Sequence, residues 1–302
     1  MANSPKSHPR VGIIGIGAMG WAMARNLFSR QYQVTVRDIR PDAQSQAAGW
    51  GMRVAESPAS LAGAVDIVAI VVVNAAQIAE VLLGTPDCLG LLEGGRPEQI
   101  VLLCSTISPD STISFAKQLA VRGIIAIDAP ISGGPARALT GDMSMMLAGP
   151  QAALESLDGL LADFAKHRFH LGATVGDASK AKLVNNLLAG INLAASAEAM
   201  AFGMQLGLAP QTIFDIVSAS SGNSWIFQDR MARAIQDDFA PRAAAPVLTK
   251  DLGLATALAK TVNAQTPLGD AAYARFSETI DQGWADLDDA AILKTYLSKN
   301  QT

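Results

Sequence analysis

At 302 residues the chain is long for a single core, so two domains are expected. Half of it is apolar, only 17% is charged and the net charge is −4. Without a long basic run these values speak against a nucleic-acid partner.

In chain order, the polar start from Met1 to Arg10 lacks an apolar signal core, and His8 within it reads as solvated. Short apolar runs at 11–16, 33–37, 67–72, 100–104, 124–127 and 143–147 are expected strands. Amphipathic helices are expected to begin near Met19, Asp42, Ala75, Pro109 and Pro150. Such alternation predicts a parallel sheet with right-handed crossovers. Ser108 reads as an N-cap with Pro109 at the first helical position. Residues 128–135 look too rich in Gly and Pro to form an element. They read as a rigid loop directly after a strand, where α/β proteins place ligand groups. His167 and His170 fall in a strand end, where i and i+3 point apart, so no metal site is expected. Cys88 and Cys104 lack metal-like spacing and read as incidental thiols of a cytoplasmic chain.

After about Thr174 the strand-like runs stop. Helical patterns follow at 178–206, 210–219, 226–234, 247–262, 267–282 and 289–298. Gly207 is placed to end the first of these, and Pro210 restarts the next. A helix of about 28 residues spans roughly 40 Å and is expected to bridge the two domains. The apolar tract 183–208 carries Asn185, Asn186, Asn192, Glu198 and Gln205, so a buried helix is expected and not a membrane span. Small-residue helices such as 194–203 suit close packing of subunits into a homodimer or homotetramer.

Six constellations carry chemistry. Gly15-Ile16-Gly17-Ala18-Met19-Gly20 follows a strand and precedes a helix. Two glycines there permit a tight turn and close approach of a pyrophosphate, and the third permits helix–strand packing. The N–H groups of the helix start, at Ala18 and Met19, would meet the phosphates. Asp38 closes the second strand, 23 positions after Gly15, and suits the ribose hydroxyls of NAD over NADP. Arg37 and Arg40 nearby suit either a 2′-phosphate or a solvated strand end. Thr106, in Cys104-Ser105-Thr106-Ile107-Ser108-Pro109, and Asn74 lie at strand ends and read either as cofactor contacts or as parts of N-cap motifs. Asp128-Ala129-Pro130-Ile131-Ser132-Gly133-Gly134 offers a hydroxyl and several N–H groups to one small anion, a substrate carboxylate, or is a structural turn.

Lys182 and Asn186 stand one turn apart on the long helix, bordered by Ala181, Leu183, Val184, Leu187, Leu188 and Ala189. A Lys in apolar surroundings has its pKa lowered and can take an alcohol proton while hydride leaves carbon. The alternative is a Lys that snorkels to solvent or forms a structural ion pair. Lys250, in Lys250-Asp251-Leu252-Gly253, is expected at a helix start, reaching the nicotinamide or forming a surface charge pair.

Together these motifs resemble the β-hydroxyacid dehydrogenases, the relatives of 3-hydroxyisobutyrate dehydrogenase, over nearly the whole chain. The extended run from Gly15 to Leu27 resembles the family's cofactor signature, Asp128–Gly134 its substrate loop, Gly176–Asn186 its catalytic helix and Lys250–Gly253 its late lysine motif. The resemblance implies a catalytic Lys182 assisted by Asn186, a carboxylate held by Ser132, Gly133 and Gly134, and cofactor contacts from Thr106 and Lys250. It implies an N-terminal Rossmann-type parallel-sheet domain (1–174) and an all-α substrate and dimerisation domain (175–302), joined by a long interdomain helix. Ala178 stands where the family usually has a second glycine, and Asp38-Ile39 replaces the Asn-Arg-Thr/Ser of the NADP-linked branch.

Within the family, Val72–Gln77, Gly134–Ala138, Leu187–Gly190 and Ser221–Phe227 look most like the L-threonate dehydrogenases of sugar-acid catabolism. Asn223 and Ser224 suit a substrate with extra hydroxyls, with Trp225 or Phe227 as a pocket wall. The expected activity is NAD-dependent oxidation of a small hydroxy acid such as L-threonate. The alternatives are tartronate semialdehyde or 3-hydroxyisobutyrate as substrate, or a non-catalytic nucleotide-binding scaffold.

Overall fold

The computed structural model describes residues 8–298. The polar start is therefore described only from His8, which is exposed as expected and stacks its ring on Tyr32 with centroids 4.0 Å apart. The chain forms two compact units that meet in sequence at Lys182 and Leu183.

The first unit begins as β1 (Val11–Ile14), α1 (Ala18–Ser29), β2 (Val34–Arg37), α2 (Pro41–Gly49), β3 (Arg53–Val54), α3 (Pro58–Ala64) and β4 (Ile67–Ile70). Then follow α4 (Ala75–Leu83), a small hairpin of β5 (Gly84–Thr85) and β6 (Cys88–Leu89), α5 (Leu91–Gly94), β7 (Ile100–Leu103), α6 (Pro109–Val121) and β8 (Ile125–Asp128). The main sheet is all parallel, in the order β3-β2-β1-β4-β7-β8. Strands β1 and β4 are buried at every position, as strands with both faces covered must be. Gly12 serves this packing: a Cβ there would lie 2.3 Å from a methyl of Leu61 on α3.

Because every strand runs the same way, residues 15–17, 38, 71–74, 104–108 and 129–133 all leave the sheet at its carboxyl edge. Strand order reverses beside β1, with β2 on one side and β4 on the other. That switch point is where α/β sheets bind ligands.

The segment expected as an element-free loop at 128–135 is more ordered than its composition implies. Asp128 closes β8, Ile131–Ser132 forms β9, and α7 (Gly134–Thr140) starts immediately after. Pro135 sits in the first turn of α7, where its missing N–H has no partner to lose. Strand β9 pairs antiparallel with β10 (Ser144–Leu147), which pairs parallel with β11 (His167–His170) beyond α8 (Gln151–Ser156) and α9 (Asp158–Phe164).

Helix α10 (Asp177–Gln205) starts in the first unit and continues in the second. By length and composition it could cross a membrane. Yet it carries Lys182, Asn186 and Glu198, groups that lipid disfavours. The second unit is helical: α11 (Pro210–Ser218), α12 (Trp225–Ala234), α13 (Ala245–Thr261), α14 (Pro267–Thr279) and α15 (Ile292–Ser298). Leu193, Met200, Phe227, Met231, Leu252 and Phe276 build its core. Gly190 admits this packing, since a Cβ there would fall 2.6 Å from Leu252. Helix α14 stops at Thr279, before the expected 282; the chain turns through a π-helical segment with Gly283 left-handed.

Candidate active site

The glycine loop has the shape a pyrophosphate needs. Gly15 has a φ of +88°, and a Cβ there would lie 2.6 Å from the Val71 carbonyl oxygen. A Cβ on Gly20 would fall 2.0 Å from the Gly15 carbonyl oxygen, so α1 can approach β1 only with glycine there. A Cβ on Gly17 would meet nothing within 4 Å. Open space thus stands over the N-terminus of α1, which no side chain caps. The amides of Ala18 and Met19 belong to that first turn, where partial positive charge favours a phosphate. The residues present fit a dinucleotide.

Asp38 stands one residue beyond β2 and is buried. Its Oδ2 accepts the Ile16 N–H at 2.8 Å, and its Oδ1 accepts the Arg40 backbone N–H at 2.9 Å and Arg40 Nε at 3.2 Å. Arg40 Nη2 also donates to the Ile16 carbonyl at 3.3 Å, and Arg37 donates to the Asp38 carbonyl. Both arginines are therefore drawn to Asp38 and the glycine loop. Asn74 caps α4, its Oδ1 accepting the Gln77 N–H at 2.9 Å. Thr106 is half-buried in the turn between β7 and α6, next to Ser105, whose hydroxyl accepts the Val72 N–H at 3.1 Å. Ser108 caps α6 with Pro109 in its first turn. Cys104 is buried, and burial, with the nearby Asp128, pushes its thiol up to about 12.

Ser132 ends β9, opposite Ser144. Gly133 and Gly134 follow with φ of +126° and +76°, backbone conformations that glycine adopts without strain. A Cβ on Gly133 would lie 3.1 Å from Cδ of Arg137, so the arginine stem covers this turn.

Lys182 and Asn186 are both buried, only 6% and 7% exposed. Val184 and Leu188, expected as apolar surroundings, are instead 69% and 58% exposed. The polar pair, and not the aliphatic one, faces inward.

In the second unit Asn186 Nδ2 donates to Asp251 Oδ2 at 2.6 Å, and its Oδ1 accepts from Asn185 at 3.0 Å. Lys250 Nζ donates to Asp251 Oδ1 at 2.6 Å. Lys250 is not at a helix start: α13 begins at Ala245, five residues earlier, because Pro246 is tolerated in a first turn. Asn223 donates to the Ser218 carbonyl at 3.1 Å, and Ser224 caps α12 by accepting the Phe227 N–H at 3.1 Å. Trp225 is exposed. Phe227 is not a pocket wall; it is 1% exposed and stacks on Phe214 in the core.

Two residues gain importance that their motifs alone did not assign. Asp251 joins Asn186 to Lys250. Asp128 accepts hydrogen bonds from Gly176 and Ser179. The signal was present, since a carboxylate inside a helix core or after an apolar strand needs partners. Among the described residues no group of three or more His, Cys, Asp or Glu is placed to hold a metal ion.

A glycine loop at the switch point that fits a dinucleotide, with a buried lysine on the long helix that follows, is the pattern of a nicotinamide-dependent dehydrogenase class. Residues 10–172 match the NAD-binding domain of 6-phosphogluconate dehydrogenase. Residues 176–296 match the NAD-binding domain of NADP-dependent 3-hydroxyisobutyrate dehydrogenase. The chain is 36% identical to an L-threonate dehydrogenase of Cupriavidus necator, with 95% of each chain covered. It is 32% identical to a 3-hydroxyisobutyrate dehydrogenase of Pseudomonas aeruginosa, with 96% of this chain and 99% of the relative covered. The crystal structure of a 3-hydroxyisobutyrate dehydrogenase from Salmonella typhimurium superposes with a TM-score of 0.89 at 34% identity, covering 95% of this chain and 99% of that one. The chain belongs to the 3-hydroxyisobutyrate dehydrogenase family of β-hydroxyacid dehydrogenases. It is an oxidoreductase that acts on a hydroxyl donor with NAD(P).

Proposed function

We propose that the protein oxidises a small hydroxylated acid, L-threonate or a similar four-carbon aldonate, with NAD and with Lys182 as acid/base. The observation that carries this is the buried Lys182, one turn from Asn186 on α10. When bound, NAD supplies the carbon that accepts hydride from the substrate carbinol. Lys182 takes the hydroxyl proton as that hydride leaves, and returns it in the reverse direction. Asn186, held by Asp251 and Asn185, orients the amine or the substrate hydroxyl. The hydroxyl of Ser132 and the amides of Gly133 and Gly134 hold the carboxylate, with Arg137 beside them. Asn223, Ser224 and Trp225 contact the distal hydroxyls.

On the cofactor side, Gly15, Gly17, Ala18, Met19 and Gly20 cradle the pyrophosphate. Asp38 accepts ribose hydroxyls and disfavours a 2′-phosphate, while Asn74, Thr106 and Lys250 line the nicotinamide half. Residues 1–174 then serve as the dinucleotide-binding domain and 175–302 as the substrate and dimerisation domain of a cytoplasmic homodimer or homotetramer. The L-threonate assignment is supported by the Cupriavidus necator relative, an L-threonate dehydrogenase.

The test is a hydroxy-acid panel with NAD and NADP, including L-threonate, 3-hydroxyisobutyrate and glycerate, on wild type and Lys182→Ala. L-threonate with NAD is expected to give the highest kcat/KM. Lys182→Ala is expected to lose about 10²–10⁴-fold in turnover while still binding NADH. Wild-type turnover in Lys182→Ala would overturn the acid/base assignment, and a different best acid would overturn the substrate. Light scattering that shows a monomer would exclude the homo-oligomer.

A further inference from the structure

Asp128 is fully buried, and it serves two segments at once. Its backbone N–H donates to the Ala148 carbonyl, and its own carbonyl accepts the Ala148 N–H, both at 2.9 Å. That pair fixes the point from which residues 129–134 leave β8. Its carboxylate meanwhile accepts the N–H groups of Gly176 and Ser179, each at 2.9 Å, and the Ser179 hydroxyl at 2.8 Å. The Ser179 hydroxyl also lies 2.8 Å from that of Thr112 on α6. All of these groups belong to the first unit.

The first N–H groups of a helix lack partners within the helix. A neighbouring Ser or Asp usually supplies one. Here the cap is the single carboxylate of Asp128, which precedes its two donors by 48 and 51 positions in sequence. A local cap would satisfy the same donors, but it could not dictate where the helix stands. A cap built into the sheet does. Lys182 follows Ser179 by one turn, so it lies on the same side of α10, about 4.5 Å further along the axis. The Ser132–Gly134 turn departs from the same Asp128.

We propose that Asp128 is a positioning residue: through Ser179 and Gly176 it holds the start of α10, and with it Lys182, in fixed register with the Ser132–Gly134 turn. This rests on Lys182 being the proton carrier. Asp128 itself does not exchange protons with substrate, since its carboxylate is enclosed and its oxygens are engaged by Gly176 and Ser179. Burial raises its pKa, and the bonds from Ser179 and Gly176 oppose that rise.

The experiment compares wild type, Ser179→Ala and Asp128→Asn, with Lys182→Ala as a reference, on the best acid of the panel. NADH affinity by fluorescence, thermal midpoint, kcat, KM and the deuterium isotope effect on kcat are measured. A displacement near 1 Å at a reacting group costs on the order of 100-fold in rate. Ser179→Ala is expected to lower kcat about 10-fold and Asp128→Asn about 100-fold. NADH affinity should stay within about twofold, and the isotope effect should rise as the chemical step slows. If Asp128→Asn does not fold, Ser179→Ala decides alone. A folded Ser179→Ala with wild-type kcat and isotope effect, beside an inactive Lys182→Ala, overturns the positioning role and leaves the Lys182 assignment standing. Full activity in Lys182→Ala overturns the assignment itself, and the positioning role with it.

Discussion

Asn186 donates its carboxamide N–H to a buried carboxylate, Asp251, at 2.6 Å, and the other oxygen of that carboxylate takes Lys250. One side chain thus sets the direction of two proposed site groups. An amide in its place has one acceptor oxygen and cannot serve both donors. Asp251→Asn is expected to lower kcat/KM by about 10- to 100-fold, as misorientation of site groups does. Steady-state kinetics with a circular-dichroism control checks this; wild-type kcat/KM in the folded variant would sink the idea.

Asp38 is the residue on which the proposed preference for NAD turns. Asp38→Asn keeps an acceptor for the Ile16 N–H but removes the negative charge. With Arg37 and Arg40 beside it, a 2′-phosphate then meets cations only. Bonds to charged groups contribute about 1.5–3 kcal/mol, roughly 10- to 100-fold. The NADP-to-NAD ratio of kcat/KM is expected to rise by that factor. An unchanged ratio would show that selectivity lies elsewhere.

The second unit holds an ion cluster at α12. Arg230 Nε meets Asp289 at 2.5 Å, and Arg233 meets Asp288 at 3.0 Å, with both carboxylates buried. Burial pushes Asp289 up to about 7, against the pull of Arg230. Arg230→Met leaves that carboxyl without its main partner, a loss of about 3–5 kcal/mol for a buried pair. Its folded pKa then rises further above the unfolded value. Stability is therefore retained at low pH and lost as pH climbs through the folded pKa. Urea unfolding at pH 5 and pH 8 should show the larger deficit at pH 8; equal deficits would refute it.

Asp66 has the opposite sign. The Arg10 guanidinium hydrogen bond holds its carboxyl down to about 2, against burial, with Arg96 adding its charge. A depressed carboxyl contributes stability in full above its unfolded value near 3.8 and loses it as pH falls through about 2. Asp66→Asn should flatten the acid limb of stability between about pH 4 and 2. Parallel limbs in variant and wild type would contradict this.

The glycine loop and Asp38 were legible in the sequence because their geometry is local. Backbone turns, positive φ and strand ends are set by residues a few positions apart. The same holds for Ser108-Pro109, which begins α6 as read. Where composition alone was used, as at 128–135, it misled: glycine and proline there start a helix and do not merely break one.

By itself, then, while short elements such as β3, α3 and β9 went unread, the sequence determined the main alternation of strands and helices, the glycine-loop turn and the family. Those depend on short-range periodicity and turn chemistry. Which face of α10 turns inward was decided by tertiary structure alone. The apolar neighbours Val184 and Leu188 are exposed while Lys182 and Asn186 are buried, against what side-chain hydrophobicity implies. The physical reason is that burial of a polar helix face depends on partners far away in sequence: Asp128 at the start of α10 and Asp251 beside Asn186.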